Sequence, residues 1–419
     1  MGTSTLTTAI KAGRLLDGNG GPPLLDAVLL VDEGRITTVG PAAEVTLPPS
    51  ATVVDASSMT VLPGLIDCHC HPSLYTIDMT ARLYAPQTVV LFKTAQMLRR
   101  ILHAGFTTVR EAGALNDVGF KRAVDLGLLE SPRMLIAIAL DQTGGHFEEV
   151  YPWQGVEIPF MGATIVDGVP DVTKAARKAL RGGADFIKIA ATGGVVSPND
   201  SPEYTAFTPA ELDAIVYEAH ARDREVIAHA EGTQGIKNAV RAGVWDIQHA
   251  SFLDEEGADL MAARGTYLTP TLSVIEILNE RGAEIGLPPV ALDKLARVRE
   301  RHFRSFEMAL AAGLKITCGT DIISEADHGD NARELELMVA HGMTPMQAIV
   351  AATRTSAEAC RVADSIGTLE AGKQADLLVV DGNPLDDIAL LRDPARIGLV
   401  MKGGETILDK LPDSSCVET

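Results

Sequence analysis

The chain has 419 residues, of which 46% are hydrophobic, and this is enough apolar material for one large domain and a smaller one. Its 36 basic and 56 acidic residues give a formal charge of -20, which argues against nucleic acid and anionic membrane surfaces as partners. The five cysteines are odd in number and widely scattered, which is unlike a disulfide framework and favours a reducing compartment. Because no basic segment precedes an apolar one at the N-terminus, and no apolar stretch approaches about 20 residues, we expect a soluble cytoplasmic protein. The charge says little about a small-molecule substrate.

Both ends of the chain have the composition of short strands separated by turns. The candidate strands are 12–18, 27–31, 34–40, 377–381 and 397–404. Their β-branched residues, with Asp and Gly between them, predict a small antiparallel sheet. Because chain ends commonly lie close together, residues 1–60 and 366–419 are expected to form one small discontinuous β-sandwich domain.

The middle of the chain, residues 61–365, alternates short apolar segments with amphipathic ones, which is typical of a parallel α/β fold. Eight strand candidates in this region favour a (β/α)8 TIM-like barrel over an open sheet. They are 61–69, 107–111, 133–138, 185–191, 225–230, 245–250, 266–270 and 315–320. A helix is predicted over Pro209–Asp223 with Thr208 as N-cap. The long connection 139–170 is expected to be functional.

Six polar residues fall at or near the ends of these candidate strands. They are His69, His71, Lys188, His229, His249 and Asp321. Active sites of such barrels lie at the C-terminal strand ends, so we expect the six side chains to meet there. Imidazoles with a carboxylate suit zinc, with manganese, iron and cobalt as alternatives. The other histidines that we place in helices, His103, His220, His302 and His341, are interpreted as ordinary surface or core residues.

Lys188 decides between one metal ion and two. Alternation along its strand directs Ile187 and Ile189 toward the helices and Lys188 into the barrel, where burial and a nearby metal ion disfavour an ammonium. A neutral amine can react with carbon dioxide to give a carbamate, an anionic ligand able to bridge two metal ions about 3.5 to 4 Å apart. The alternative is a lysine that pairs with Asp321 in a mononuclear site.

These motifs together resemble the amidohydrolase superfamily in its binuclear form with a carboxylated lysine. The resemblance is carried by residues 63–71 and 319–321 together with Lys188, His229 and His249, and it extends over nearly the whole chain to the segment 367–377. Residues 105–110, 143–146 and 342–345 are similar to the branch that contains imidazolonepropionases, Xaa-Pro dipeptidases and ochratoxin-hydrolysing amidases.

The resemblance implies two divalent metal ions and a hydroxide that bridges them as the nucleophile. It implies that His69 and His71 with Asp321 hold the more buried ion, His229 with His249 the more exposed one, and that a carboxylated Lys188 joins them. Asp321 would move the proton from the nucleophile to the leaving nitrogen. His146 would donate to the substrate carbonyl or the developing oxyanion. Relatives are often homo-oligomers, so a homo-oligomer is expected.

The substrate is predicted only as a class, namely a small amide such as an N-acyl amino acid, a dipeptide or an aromatic amide. Tyr204 and His328 are candidate substrate contacts from their positions after strand candidates. Glu231 departs from the dipeptidase-like pattern, in which that position is often aromatic. Its charge would repel a substrate carboxylate, or it could instead pair with an arginine or lysine at the rim.

Aromatic side chains of the long connection are expected to form an apolar substrate wall. They are Phe147, Trp153 and Phe160. Carbamate or urea hydrolysis, and phosphotriester or lactone hydrolysis, are alternative activities. A ring deaminase is disfavoured by Lys188, and a non-catalytic scaffold is disfavoured because every ligand type is present.

Overall fold

The computed structural model describes residues 7–114, 116–147, 162–197 and 200–412. These residues divide into two compact units. One is built from the segments 7–67, 99–108 and 329–412, and the other lies within 68–98 and 109–328. The predicted domain boundaries near residues 60 and 365 stay a prediction.

Sixteen strands occur in the described residues. In chain order they are β1 (Thr8–Leu15), β2 (Leu24–Asp32), β3 (Arg35–Pro41), β4 (Thr52–Pro63), β5 (Leu65–Cys70), β6 (Phe106–Glu111), β7 (Arg133–Asp141), β8 (Thr164–Ile165), β9 (Phe186–Ala190), β10 (Glu225–Ala230), β11 (Asp246–His249), β12 (Tyr267–Thr269), β13 (Lys315–Ile316), β14 (Leu377–Val380), β15 (Ile397–Lys402) and β16 (Glu405–Asp409).

The helices of the described residues lie mainly between the strands of the central region. They are α1 (Met79–Tyr84), α2 (Gln87–His103), α3 (Asp117–Asp125), α4 (Val169–Arg181), α5 (Pro209–His220), α6 (Thr233–Ala242), α7 (Glu255–Arg264), α8 (Leu272–Arg281), α9 (Pro289–Ala311), α10 (Arg333–Ala340), α11 (Pro345–Val350) and α12 (Ser356–Ala359), with a π-helical turn at Ala351–Thr355 and a 3-10 helix at Ile388–Arg392. Across the described ranges, none of the helices combines the length and the apolar character needed to cross a bilayer.

The two chain ends form one seven-stranded sheet in the order β16-β15-β14-β4-β1-β2-β3. One face buries an apolar cluster that includes Ile10, Leu29, Leu377 and Leu399. The prediction of a purely antiparallel sheet was wrong for one pair, because β1 and β4 are parallel. Residues 42–51 carry the chain back along the sheet after β3, so β4 runs in the direction of β1.

The central strands form a second sheet in the order β13-β12-β11-β10-β9-β7-β6-β5, with the short β8 beside β7. The neighbouring pairs from β7 to β13 are parallel. The ring closes through backbone hydrogen bonds, since Cys68 N–H donates to Cys318 O at 2.8 Å and Asp321 N–H donates to His69 O at 2.7 Å. This confirms the predicted fold class, a (β/α)8 TIM-like barrel with a separate β domain from both chain ends.

The first predicted barrel strand, 61–69, is in fact two strands that belong to different sheets. Residues up to Pro63 complete β4, and β5 begins at Leu65. Gly64 separates them because a Cβ at this position would lie 2.2 Å from Thr107 Oγ1, so only glycine permits the close approach of the backbone. Apolar residues continue through the junction, which is why the pattern reads as one strand.

The predicted helix after Thr208 is confirmed as α5, although it ends at His220 rather than Asp223. Thr208 Oγ1 accepts from Glu211 N–H, and the Glu211 carboxylate in return accepts from Thr208 N–H at 2.7 Å. This capping box satisfies the first free amides of the helix. It also fixes the start of the element that carries the chain from β9 to β10.

Candidate metal centre

The six predicted ligand residues line one cavity at the C-terminal ends of the barrel strands. His69 lies within β5 and His71 directly follows it, while His249 is the last residue of β11. Lys188 and His229 lie on β9 and β10, and Asp321 follows β13. The parallel strands therefore bring residues that are distant in sequence to one end of the barrel.

Three of these side chains converge on one point. The Nε2 atoms of His69 and His71 lie 3.2 Å apart, and Asp321 Oδ1 lies 3.4 Å and 3.3 Å from them, respectively. Two ligand atoms that each lie about 2.0 to 2.2 Å from one tetrahedral zinc ion are roughly 3.3 to 3.6 Å apart. The spacing of the three atoms therefore fits a single metal ion held by all three residues.

His249 extends this cluster. Ligand atoms of His69, His249 and Asp321 all lie within 4.8 Å of one another. His249 Nδ1 lies 2.7 Å from Thr271 Oγ1, and this contact orients the ring. A possible metal site made of histidine and aspartate is thus present in the structure.

His229 reaches the cavity, but its Nε2 lies 3.0 Å from Gly193 O, a carbonyl oxygen that can only accept. Its ring stacks on that of His146 with centroids 4.2 Å apart and lies 4.6 Å from the ring of His249. His229 is therefore next to the cluster, with Nε2 turned to the backbone.

Burial lowers the pKa of all four imidazoles well below the usual histidine range. The four are His69, His71, His229 and His249. Neutral imidazole is the form that binds a metal ion. Burial also raises the pKa of Asp321, and the charges of His71 and Lys188 partly oppose that shift.

Lys188 is 1% exposed, and its Nζ donates to Gln248 Oε1. Burial lowers its pKa to about 7; Asp321 opposes the shift, and the guanidinium of Arg110 adds to it. Arg110 is itself fully buried and pairs with Asp246. At neutral pH an appreciable fraction of Lys188 is therefore uncharged, as a reaction with carbon dioxide requires.

Several residues at the strand ends have left-handed backbone conformations that are uncommon outside glycine. The φ angles are 72° for His249, 56° for Ala250, 53° for Thr271 and 52° for Asp321. Such conformations cost of order 1 to 3 kcal/mol each and occur often at functional sites. Here they turn the chain at the strand ends where the cluster is assembled.

Glu111 orients the ring of His71, and it was not identified as a site residue from the sequence. Its Oε1 lies 2.8 Å from His71 Nδ1, and its side chain is fully buried. The contact orients the imidazole so that Nε2 points to the cluster. Glu111 is the last residue of β6, so the rule that identified the other strand-end residues would also have identified it.

We expect Glu111→Gln to weaken metal binding about 10- to 100-fold, because the substitution removes the charge that raises the basicity of His71. Competition of the purified variant against a chelator measures the affinity. Asp125→Asn, an exposed change at the end of α3, is the matched control. Equal affinity in Glu111→Gln and in the unmodified protein would show that Glu111 does not support the site.

His146 lines the cavity and is held by a polar network. Its Nδ1 lies 3.0 Å from Ser197 Oγ and 3.6 Å from Asp200 Oδ2. Lys294 Nζ donates to Asp200 Oδ1 at 3.0 Å. A Cβ at Gly194 would lie 2.3 Å from the His146 ring, so the glycine is required for this packing. Asp200 and Lys294 were not identified from the sequence, since only the fold brings them to His146.

The structure places the three other candidate substrate contacts differently. Glu231 is 4% exposed and lines the cavity. Tyr204 is 66% exposed and His328 is buried with Nε2 3.3 Å from Leu74 O, and neither belongs to the described lining of the cavity. Substrate contact by Tyr204 and His328 stays a prediction.

The aromatic wall is seen only in part. Phe147 lines the cavity. Trp153 and Phe160 lie outside the described residues. Helix α8 supplies further apolar lining through Val274, Ile275 and Leu278.

The buried cluster of histidine and aspartate at the strand ends places the protein among TIM-like barrels with a candidate metal site. The chain matches the amidohydrolase family over residues 60–407, and it belongs to that family. The predicted family resemblance is thereby confirmed. The protein is a hydrolase that acts on carbon–nitrogen bonds.

Three relatives illustrate the likeness. The ochratoxinase of Aspergillus niger is 35% identical over 419 residues, covering 95% of this chain and 86% of the relative. An imidazolonepropionase of Cereibacter sphaeroides is 26% identical over 427 residues, covering 95% of this chain and 98% of the relative. The crystal structure of a Xaa-Pro dipeptidase with bound methionine in its active site has a TM-score of 0.87 at 33% identity, covering 96% of this chain and 99% of that chain.

Proposed function

We propose that this protein is a binuclear metal-dependent hydrolase that cleaves an amide bond of a small molecule. The observation that carries the proposal is the convergence of His69 Nε2, His71 Nε2 and Asp321 Oδ1 within 3.2 to 3.4 Å of one another inside a buried cavity. The similarity to an ochratoxinase and to a Xaa-Pro dipeptidase supports an amide as the bond cleaved.

The donor set fits two divalent metal ions, with zinc favoured because four of the donors are imidazole nitrogens. His69, His71 and Asp321 would hold one ion, and His229 with His249 the other. Bound divalent ions in such sites supply an acidified water and a polarised carbonyl. To bind an ion, His229 would have to turn Nε2 away from Gly193 O and toward the cluster.

Lys188 would join the two ions as a carbamate formed with carbon dioxide. The proposal is supported by its burial, by the lowering of its pKa to about 7 and by its place on β9 between the two sets of ligands. Carbon dioxide would add to the neutral amine with loss of a proton, so the carbamate would put an anion where the protonated lysine is a buried cation. Gln248 Oε1 accepts from Lys188 Nζ and so orients the nitrogen on which the new group would form.

The side chains of the protein then perform three tasks. Asp321 takes a proton from the attacking water and passes it to the leaving nitrogen. His146, held by Ser197 and Asp200, donates to the carbonyl oxygen as negative charge develops there. The apolar residues of α8 and Phe147 enclose the body of the substrate and exclude water.

A substrate screen tests this function. The protein reconstituted with zinc is assayed against N-acyl amino acids, dipeptides and aryl amides, before and after treatment with a chelator. We expect hydrolysis of at least one amide class, loss of activity after chelation and recovery on addition of zinc. Parallel assays with carbamates, ureas, lactones and phosphotriesters examine the alternative activities. A metal-loaded protein that hydrolyses one of these and no amide would contradict the proposal.

A further inference from the structure

The wall of the cavity contains a carboxylate that the proposed reaction does not use. Glu231 follows the last residue of β10 and is 4% exposed. Ser251 Oγ donates to Glu231 Oε2 at 2.8 Å, and the same Oγ lies 2.9 Å from His302 Nδ1. Because the hydroxyl hydrogen of Ser251 is engaged with Glu231, its oxygen accepts from His302. The bonds therefore run from His302 through Ser251 to Glu231 and hold its carboxylate in the cavity wall, where Oε1 lies 3.8 Å from His229 Nε2.

The described lining of the cavity has few basic residues that could bind a free carboxylate of a substrate. Among the described residues that line it, Lys188 is the only lysine or arginine, and the proposed carbamate removes that charge. The sequence positions that the structure does not describe, including 148–161, contain neither residue type. The imidazole of His146 is already next to Asp200. A substrate carboxylate away from the metal ions would therefore lie near Glu231. With Lys188 as a carbamate, the described lining residues include no arginine or lysine that could pair with it.

We propose that Glu231 selects amides that carry an ammonium group and lack a carboxylate. The ammonium would donate to Glu231 while the apolar body of the substrate packs against Val274, Ile275 and Leu278 of α8. Ser251 acts as a positioning residue that orients the carboxylate. This inference rests on the proposed function, and it separates this protein from an enzyme for dipeptides with a free C-terminal carboxylate.

Matched anilides test the selection. L-phenylalanine 4-nitroanilide carries an ammonium group, 3-phenylpropionyl 4-nitroanilide lacks it, and 3-phenylpropionyl-L-phenylalanine carries a carboxylate instead. We expect kcat/KM to fall at least about tenfold from the first to each of the others, and the ratio of the two anilides to approach one in Glu231→Gln. Glu225→Gln, at the opposite end of β10, is the matched control and should keep the ratio of the unmodified protein.

Binding and metal content give readouts that do not depend on turnover. Calorimetry should show phenethylammonium binding at least about tenfold more weakly to metal-loaded Glu231→Gln than to the unmodified protein, at equal metal content. A loss of metal from Glu231→Gln would place Glu231 among the metal ligands and overturn the inference. If this variant does not fold, Ser251→Ala replaces it, and an unchanged anilide ratio in that variant would likewise overturn the inference.

The two proposals fail in different ways. Hydrolysis of amides with no preference for the ammonium substrate, or with a preference that Glu231→Gln keeps, overturns the selection by Glu231 and leaves amide hydrolysis standing. If the metal-loaded protein cleaves no amide, the proposed function fails. The selection among amides then fails with it, and phenethylammonium binding decides only whether Glu231 recognises an ammonium group; equal binding to Glu231→Gln and to the unmodified protein overturns that recognition too.

Discussion

Replacing Asp321 with asparagine is expected to reduce kcat by about 1,000-fold or more while the protein stays folded. The loss follows because an amide side chain cannot take the proton from the attacking water and deliver it to the leaving nitrogen. Asparagine is also a poor replacement for an anionic metal ligand. Steady-state kinetics, with metal content and thermal melting measured on the same sample, check this result.

The choice of asparagine rather than alanine comes from the backbone. Asp321 has a φ of 52°, a left-handed conformation that asparagine and aspartate tolerate better than other residues with a side chain. Asp321→Asn therefore tests the carboxylate without adding strain at the turn after β13. If Asp321→Asn has the melting temperature and the kcat of the unmodified protein, Asp321 does not carry out the proposed proton transfer.

Lys188→Ala is expected to have the second large effect. The substitution removes the proposed bridge, so the protein should bind at most one metal ion per chain and lose about 1,000-fold or more in kcat. It also leaves a small buried space beside Gln248. Because propionate can place a carboxylate in that space, we expect added propionate to restore part of both metal binding and activity.

Two comparisons make the Lys188 result specific. Lys174→Ala, an exposed change on α4, should retain full metal content and rate with or without propionate. Under the alternative, Lys188 is an amine that pairs with Asp321 beside one metal ion. Propionate would then have no bridge to replace and should restore neither metal binding nor activity. Two metal equivalents and full activity in Lys188→Ala would contradict the bridging role.

The barrel was predictable from the sequence because each of its strands is a short apolar segment between amphipathic ones. The ends of those strands were predictable for the same reason, and the sequence therefore predicts that His69, Lys188, His229 and Asp321 lie near one another. The error at 61–69 arose where apolar residues continue from one sheet into the next. The strand pairing shows that the chain changes sheets there, because β4 pairs with β1 and β14 whereas β5 belongs to the barrel sheet.

The supporting residues of the site were less accessible to sequence reasoning. Glu111 followed the same strand-end rule and was overlooked. Asp200, Lys294 and His302 are different, because they lie in a loop or in α9 and reach the cavity region only through tertiary packing. His302 was interpreted as an ordinary helical residue, yet its Nδ1 lies 2.9 Å from the serine that holds Glu231.

Metal analysis of the purified, zinc-reconstituted protein is the most direct test of the binuclear site. We expect two equivalents of divalent metal per chain, since His69, His71 and Asp321 would hold one ion, and His229, His249 and a carboxylated Lys188 would complete the second. One equivalent or none, in protein that is folded and saturated with zinc, would contradict it.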